Sequence, residues 1–369
     1  KYPQLLAPGR IGSMELRNRI IMAPMGSNFA EADGQCGERI QAYYEARARG
    51  GAGLLIMGVC SVAFPAGTAE PFQVGVSSDD FIPGLSRLAE RVHQHGAKIA
   101  MQLQHAGKTA VRDMAEGRQL WVPSVPPVLQ SDMMAALTPE ELANFVSSMK
   151  RRAEGSPIRV MDSADIAQMI DWFACAADRA RRAGFDGVEI HAAHGYIIAG
   201  FLSGYYNQRE DEYGGTLENR ARLLLQIIAA IRAKVGHEFA VWLRLDAEEL
   251  HTPGGINLED AKAVARLAEA AGVDAVSVSA TARITSGVVF TEAPLVHKPG
   301  GYLEWTAALK RSVQVPVIAV GRIEPDVGEA ALKRGDCDFV AMARKFLADP
   351  DLPNKLLHDQ EASIRPCIY

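Results

Sequence analysis

The chain has 369 residues, of which 48% are hydrophobic and 22% charged, the balance of a globular protein with a sizeable core. Its 39 Lys and Arg against 44 Asp and Glu give a formal net charge of -5, which argues against a nucleic-acid or anionic-membrane surface. The best apolar run, LLLQIIAAI at 223–231, falls short of the roughly 20 residues a membrane helix needs.

Short β-branched runs alternate with amphipathic stretches along the whole chain. RIIMAP (19–24) predicts a first strand and GLLIMG (53–58) a second. FIPGLSRLAERVHQHG (81–96) then predicts a helix ended by Gly96, before a third strand at KIAMQLQ (98–104). The segment 105–162 is too long for one crossover. It contains the Pro-rich WVPSVPPV and then LTPEELANFVSSMKRR, which starts like a capped helix with Thr138 as cap, Pro139 first and Glu141 third. We expect 130–162 to be an insertion over one end of the fold. A helix from about 163 to 183, ended by Gly184, leads to a fourth strand at GVEIH (187–191). AVWLRL (240–245), AVSVSA (275–280), PVIAVG (316–321) and FVAMAR (339–344) supply four more, with helix stops at Gly236 and Gly272. Eight apolar strands at this rhythm predict a parallel sheet closed into a (β/α)8 TIM barrel spanning 1–369. The alternative, an open doubly wound sheet, lacks a GxGxxG after an early strand. Cys36, Cys60, Cys175, Cys337 and Cys367 are scattered without metal or redox spacing, so we read them as reduced thiols of a cytoplasmic protein.

In such a barrel chemistry collects where strands end. The first strand ends in APMG (23–26), small or flexible residues against which a flat ring could lie. Gln102 offers an amide that both donates and accepts. Arg244, inside WLRLD, is costly among apolar neighbours unless it meets an anion or an electron-rich ring. Gly321 and Arg322, with Ala343 and Arg344, close the last two strands and predict a phosphate site. His191 and His194 stand three apart in EIHAAHGY, with Tyr196 two residues on. Each has a plainer reading. Gln102 could be a satisfied core amide, Arg244 could pair with Asp246 or Glu248, and Arg344 could bridge on the rim. The histidines could be a metal pair, although no third ligand is apparent and Glu189 is expected on the other face of its strand. His93, His95 and His105 read as structural or surface residues.

These motifs carry a resemblance. LLAPGRIGSMELRNRIIMAPM, MQLQHAG, GFDGVEIHAAHGYIIAGFLSGYYNQREDEYGGTLENRARLL, AVGRI and AMARKFLADPDLPNK resemble the Old Yellow Enzyme family of FMN-dependent NADH:flavin oxidoreductases, over essentially everything except 130–162. The resemblance implies that Pro24, Met25, Gly26 and Gly58 lie against the flavin and that Gln102 bonds its pyrimidine edge. It implies that Arg244 stabilises charge in the reduced ring, and that Gly321, Arg322, Ala343 and Arg344 hold the FMN phosphate. His191 and His194 would then hydrogen-bond the oxygen of an activated alkene, as an oxyanion hole does. Tyr196 would protonate the α-carbon, a phenol with an ordinary pKa near 10 being protonated at pH 7. NADH or NADPH would supply the electrons, and a homo-oligomer would be expected. YNQREDEYGGTLENRARLL (206–224) matches too, but reads mostly as structure.

Two further features concern the branch of the family. The ending IRPCIY resembles the start of the R-x-C-I-x-C motif of larger members such as the 2,4-dienoyl-CoA and 2-enoate reductases, where four cysteines bind a [4Fe–4S] cluster and an FAD- and NAD(P)-binding region follows. With no initiator methionine, we expect a piece of a longer protein in which Cys367 is one cluster ligand. Gly26 stands where the amine-dehydrogenase members carry a flavin-linked cysteine, which disfavours that activity. His297 is displaced from the position of the dienoyl-CoA reductase histidine. The sequence thus points to an FMN-dependent ene-reductase acting on a small enoate or enone. The alternatives are an N-methyl amine dehydrogenase, to which Tyr302 and Trp305 could lend an aromatic bowl, and a barrel that binds without catalysis.

Overall fold

The computed structural model describes residues 1–126, 138–140, 157–282 and 298–368. Eight strands form a closed parallel barrel: β1 (Ile20–Met22), β2 (Leu54–Ser61), β3 (Lys98–Gln104), β4 (Gly187–Ala192), β5 (Ala240–Leu250), β6 (Val276–Ala282), β7 (Val317–Ala319) and β8 (Phe339–Met342). Each pairs with the next in chain order, and β8 pairs with β1 through Val340↔Ile20 and Met342↔Met22, which closes the sheet. The TIM barrel expected from the sequence is therefore what forms. The strands read as continuous apolar runs because both faces are covered; every residue of β2 is buried.

Helices α1 (Glu38–Arg49), α2 (Ile82–Gln94), α3 (Ser163–Arg182), α4 (Leu217–Val235), α5 (Leu258–Ala270), α6 (Leu303–Lys310) and α7 (Pro325–Arg334) ring the barrel. Local chemistry sets their ends. Asp162 caps α3 by accepting from the Asp165 amide, while the Asp165 carboxyl returns to the Asp162 amide, a reciprocal capping box. Gly96, Gly184, Gly236 and Gly272 all end helices at positive φ, as their places in the sequence require. Helix α3 buries Ile166, Met169, Phe173, Ala177 and Ala180 at spacings of three and four, one stripe against the barrel.

The barrel interior is a separate apolar cluster in which Ile21, Ile56, Trp242, Ile318 and Phe339 meet. A hairpin from Gly9–Ile11 and Met14–Leu16 adds Ile11, Met14 and Leu16 to it. Trp242 is fully buried. It fits because Gly187 has no side chain, since a Cβ there would stand 2.9 Å from the indole and 2.6 Å from the Ala240 carbonyl oxygen. Burial of a side chain this size contributes on the order of 3 kcal/mol.

Of the 130–162 insertion, residues 138–140 and 157–162 are described. Residues 127–137 and 141–156, including Glu141 and most of the expected helix, lie outside the described residues, as does His297. Ile158–Val160 forms a parallel pair with Leu120–Val122, which ties the end of the segment to the residues that precede it. Among the described residues no helix is long and apolar enough to cross a membrane.

Candidate active site

A cavity of about 560 Å³ opens at the C-terminal ends of the strands. Of the residues selected from the sequence, Pro24, Met25, Gly26, Gln102, His191, His194, Tyr196, Arg244, Gly321, Arg322, Ala343 and Arg344 all line it. Gly58 does not. It lies behind the wall, bridged to Gly26, where a Cβ would stand 2.4 Å from Pro24 Cβ, and Val59 faces the cavity instead. Cys367 sits in the C-terminal tail, away from the cavity.

The floor is built by strand alternation. Residues two apart on a strand share a face, so Gly187, Glu189 and His191 all point inward, as do Trp242, Arg244 and Asp246. The expectation that Glu189 faces away from His191 is thus corrected by the pleat itself. Glu189 is fully buried and accepts four hydrogen bonds: from Gln102 Nε2 (2.7 Å), Arg244 Nε (3.0 Å), Trp242 Nε1 (2.8 Å) and Ser277 Oγ (2.7 Å). Arg244 therefore pairs with Glu189, not with Asp246 or Glu248. This carboxylate fixes two groups at once. With Nε2 held below, Gln102 is free to present its carbonyl oxygen to the cavity. With Nε held, Arg244 keeps Nη2 buried and, among the described residues, without a hydrogen-bond partner. An unmatched guanidinium nitrogen at a cavity wall fits an acceptor on a bound ligand.

Above this floor stand the three residues of EIHAAHGY. His191 packs edge-on against His194 and Tyr196, with ring centroids 4.9 Å and 4.8 Å apart. His191 Nδ1 accepts the Ala193 amide at 3.3 Å, which places the ring proton on Nε2. His194 adopts positive φ (61°), and its amide donates to Asp246 Oδ2 at 2.7 Å. Its Nε2 lies 2.7 Å from Ser279 Oγ. Burial, then the neighbouring His194 and Arg244, hold the His191 pKa well below the usual imidazole range. Burial and Arg244 push His194 down to about 3. Both rings are neutral at pH 7, so each keeps one N–H to donate. Asp246 moves the other way: burial raises its pKa well above the usual carboxylate range, and the His194 amide opposes that.

Cations gather at another part of the wall. Arg322 follows β7 at positive φ, and Arg344 opens the short helix Arg344–Ala348 after β8. Glycine is required at Gly321, just before Arg322: its φ is +107°, and a Cβ would stand 2.6 Å from the Tyr302 ring. The sequence reading missed Lys345, which joins this group while paired with Glu324. It also missed Ser279 and Glu70 on the cavity wall. Strand parity with Ser277 could have found Ser279, and adjacency to Arg344 could have found Lys345. No local signal marks Glu70. Tyr302 reaches the cavity, but Trp305 stacks on it at 5.4 Å and does not line the cavity, so the two do not form a bowl.

The family model of the NADH:flavin oxidoreductase / NADH oxidase family matches residues 4–362. The chain belongs to that family. It is 37% identical over 373 residues to the NADH oxidase of Thermoanaerobacter brockii, covering 100% of this chain and 52% of the relative. It is 32% identical over 395 residues to the cinnamate reductase of Clostridium sporogenes, covering 100% of this chain and 55% of that protein. Among solved structures it resembles the old yellow enzyme homologue from Zymomonas mobilis, with a TM-score of 0.76, 27% identity, and coverage of 97% and 93% of the two chains. The Old Yellow Enzyme resemblance read from the motifs is therefore borne out. The chain spans about half the length of the first curated relatives it matches. Family membership implies FMN with NAD(P)H as the electron source. The cavity fits that group: an orphaned Arg244 nitrogen, an amide oriented by Glu189, and three cations on one wall.

Proposed function

We propose that this chain is the FMN-binding barrel of an ene-reductase that saturates the activated C=C bond of a small enoate or enone. The observation that carries it is the grouping of two neutral, buried imidazoles and a phenol on one cavity with the unmatched Arg244 nitrogen. Pro24, Met25 and Gly26 would back the flavin ring, with Gln102 and Arg244 on its polar edge and Gly321, Arg322, Ala343 and Arg344 on its phosphate. Bound FMN, reduced by NADH or NADPH, supplies the hydride.

The chain's own residues do the rest. His191 Nε2–H and the His194 ring donate to the substrate oxygen, so negative charge that grows there meets fixed donors. Neutral donors suit this task, because an imidazolium would have to be desolvated first. Tyr196 holds the proton destined for the α-carbon. For Cys367 we propose the role of one thiolate of a [4Fe–4S] cluster, alongside FAD, in a longer polypeptide. Its place in RPCIY and the greater length of the relatives support this.

The test is the visible spectrum of the purified protein and acid release of its chromophore. Flavin absorbance with FMN released is the expected result. A colourless protein that takes up no added FMN would overturn the proposal.

A further inference from the structure

One carboxyl group on the cavity wall has no part in this chemistry. Glu70 reaches the cavity from the segment after β2 and lies against Gly26. A Cβ at Gly26 would stand only 2.6 Å from the Glu70 carboxyl carbon, so the absence of a side chain at 26 is what admits the carboxyl. The Asn28 side chain hydrogen-bonds it. Asn28 is itself oriented, because its Oδ1 accepts the Phe72 amide at 3.0 Å and its NH2 is left to donate. Among the described residues no lysine, arginine or histidine forms an ion pair with Glu70, whereas Glu324, also near the barrel mouth, pairs with Lys345. Burial raises its pKa and Asn28 opposes that.

We propose that Glu70 is a specificity-determining residue that disfavours substrates with a carboxylate beside the reacting bond and favours those with a hydrogen-bond donor or cationic group there. The inference rests on the ene-reductase reading and narrows its substrate class from enoates toward enones and amine-bearing alkenes. The cations of the cavity do not cancel this field in the FMN-loaded protein, because Arg244 is paired with Glu189, Lys345 with Glu324, and Arg322 and Arg344 are the two assigned above to the FMN phosphate. A cavity of about 560 Å³ is roughly 10 Å across, and at that distance and an effective dielectric near 20 one charge changes the affinity of another by on the order of tenfold.

The test uses FMN-loaded protein and three phenols that differ in charge at the para position: tyramine, 4-methylphenol and 4-hydroxybenzoate. Their dissociation constants are read from the change in flavin absorbance, for wild type and for Glu70→Gln. The expected result is a tyramine to 4-hydroxybenzoate affinity ratio that falls about tenfold in Glu70→Gln. Comparing the same two ligands on both proteins removes differences in their own acidity. A ratio that stays within twofold of wild type overturns the inference. So does wild-type protein that binds 4-hydroxybenzoate at least as tightly as tyramine, a result that needs no variant to fold. If none of the three phenols perturbs the flavin, the ene-reductase reading fails and takes this inference with it. Binding without charge preference sinks the Glu70 assignment alone.

Discussion

Glu189→Gln is the substitution that probes the site most directly, because it changes almost no volume and removes one charge. The carboxylate takes Gln102 and Arg244 on Oε1 and Trp242 and Ser277 on Oε2. A carboxamide has one oxygen and one NH2, so in either orientation its NH2 meets a group that can only donate: Trp242 Nε1 one way, Arg244 Nε the other. The Ser277 hydroxyl can turn to accept, but an indole or a guanidinium cannot. In addition Arg244, 4% exposed, loses its only ion-pair partner among the described residues. Leaving one member of a buried pair without its counter-charge costs about 3–5 kcal/mol. That is a large part of the roughly 5–15 kcal/mol that holds a domain folded.

The assay is urea unfolding of FMN-free protein, with FMN affinity measured separately by fluorescence quenching. Unfolding reports the carboxylate's part in the interior. FMN affinity reports whether it also aims Gln102 and Arg244, and it should fall at least tenfold. A double-mutant cycle with Arg244→Met isolates the pair: the double variant should recover part of the loss, since two apolar or neutral groups can replace a buried ion pair at little cost. A stability loss below about 1 kcal/mol, or strictly additive variants, would refute the assignment of Glu189 as the group that organises this floor.

Tyr196→Phe should slow reoxidation of the reduced enzyme by an enone at least 100-fold while leaving reduction by NAD(P)H nearly intact; stopped-flow traces of the two half-reactions check this, and equal losses in both would contradict the proton-donor role. His191→Ala should weaken phenol binding by about 1–3 kcal/mol, the cost of leaving a buried acceptor unmatched, read from the same absorbance titration; unchanged affinity would remove His191 from the substrate site. His105 gives a pH prediction. Burial alone pushes its pKa down to about 4, so the folded state keeps it neutral while the unfolded chain takes up a proton below about pH 6.5. Its contribution is therefore whole above pH 6.5 and is lost as pH falls toward 4, at about 1.4 kcal/mol per unit. Wild type should lose about 3 kcal/mol relative to His105→Phe between pH 7 and pH 4, and parallel unfolding curves for the two proteins would rule this out.

The barrel was legible because its signals are local and repeated. Eight apolar runs and four helix-ending glycines at positive φ each state a boundary without reference to distant residues. The cavity residues were legible where a polar side chain interrupts an apolar strand, as Gln102 and Arg244 do, or clusters past its end, as His191, His194 and Tyr196 do. Gly58 misled because a glycine near a strand end reads as a wall for a flat ligand, while here it lets β2 approach Pro24. The hairpin beneath the barrel was missed because strands of three residues carry too little periodicity to stand out.

Glu189 and Glu70 show two different limits. The position of Glu189 was available in the sequence: it lies two residues before His191, and a strand returns to the same face every second residue. An acid in an apolar strand, in phase with His191 and level with Gln102 and Trp242, can only be tolerated if several donors converge on it, and its four hydrogen bonds are that condition met. Glu70 was not available. It belongs to a loop, its partner Gly26 is 44 residues away, and nothing in either stretch names the other. The part of the site that rides on strands follows from alternation and register, while the part that rides on loops depends on how the chain returns, and that is the part that would set which alkene enters.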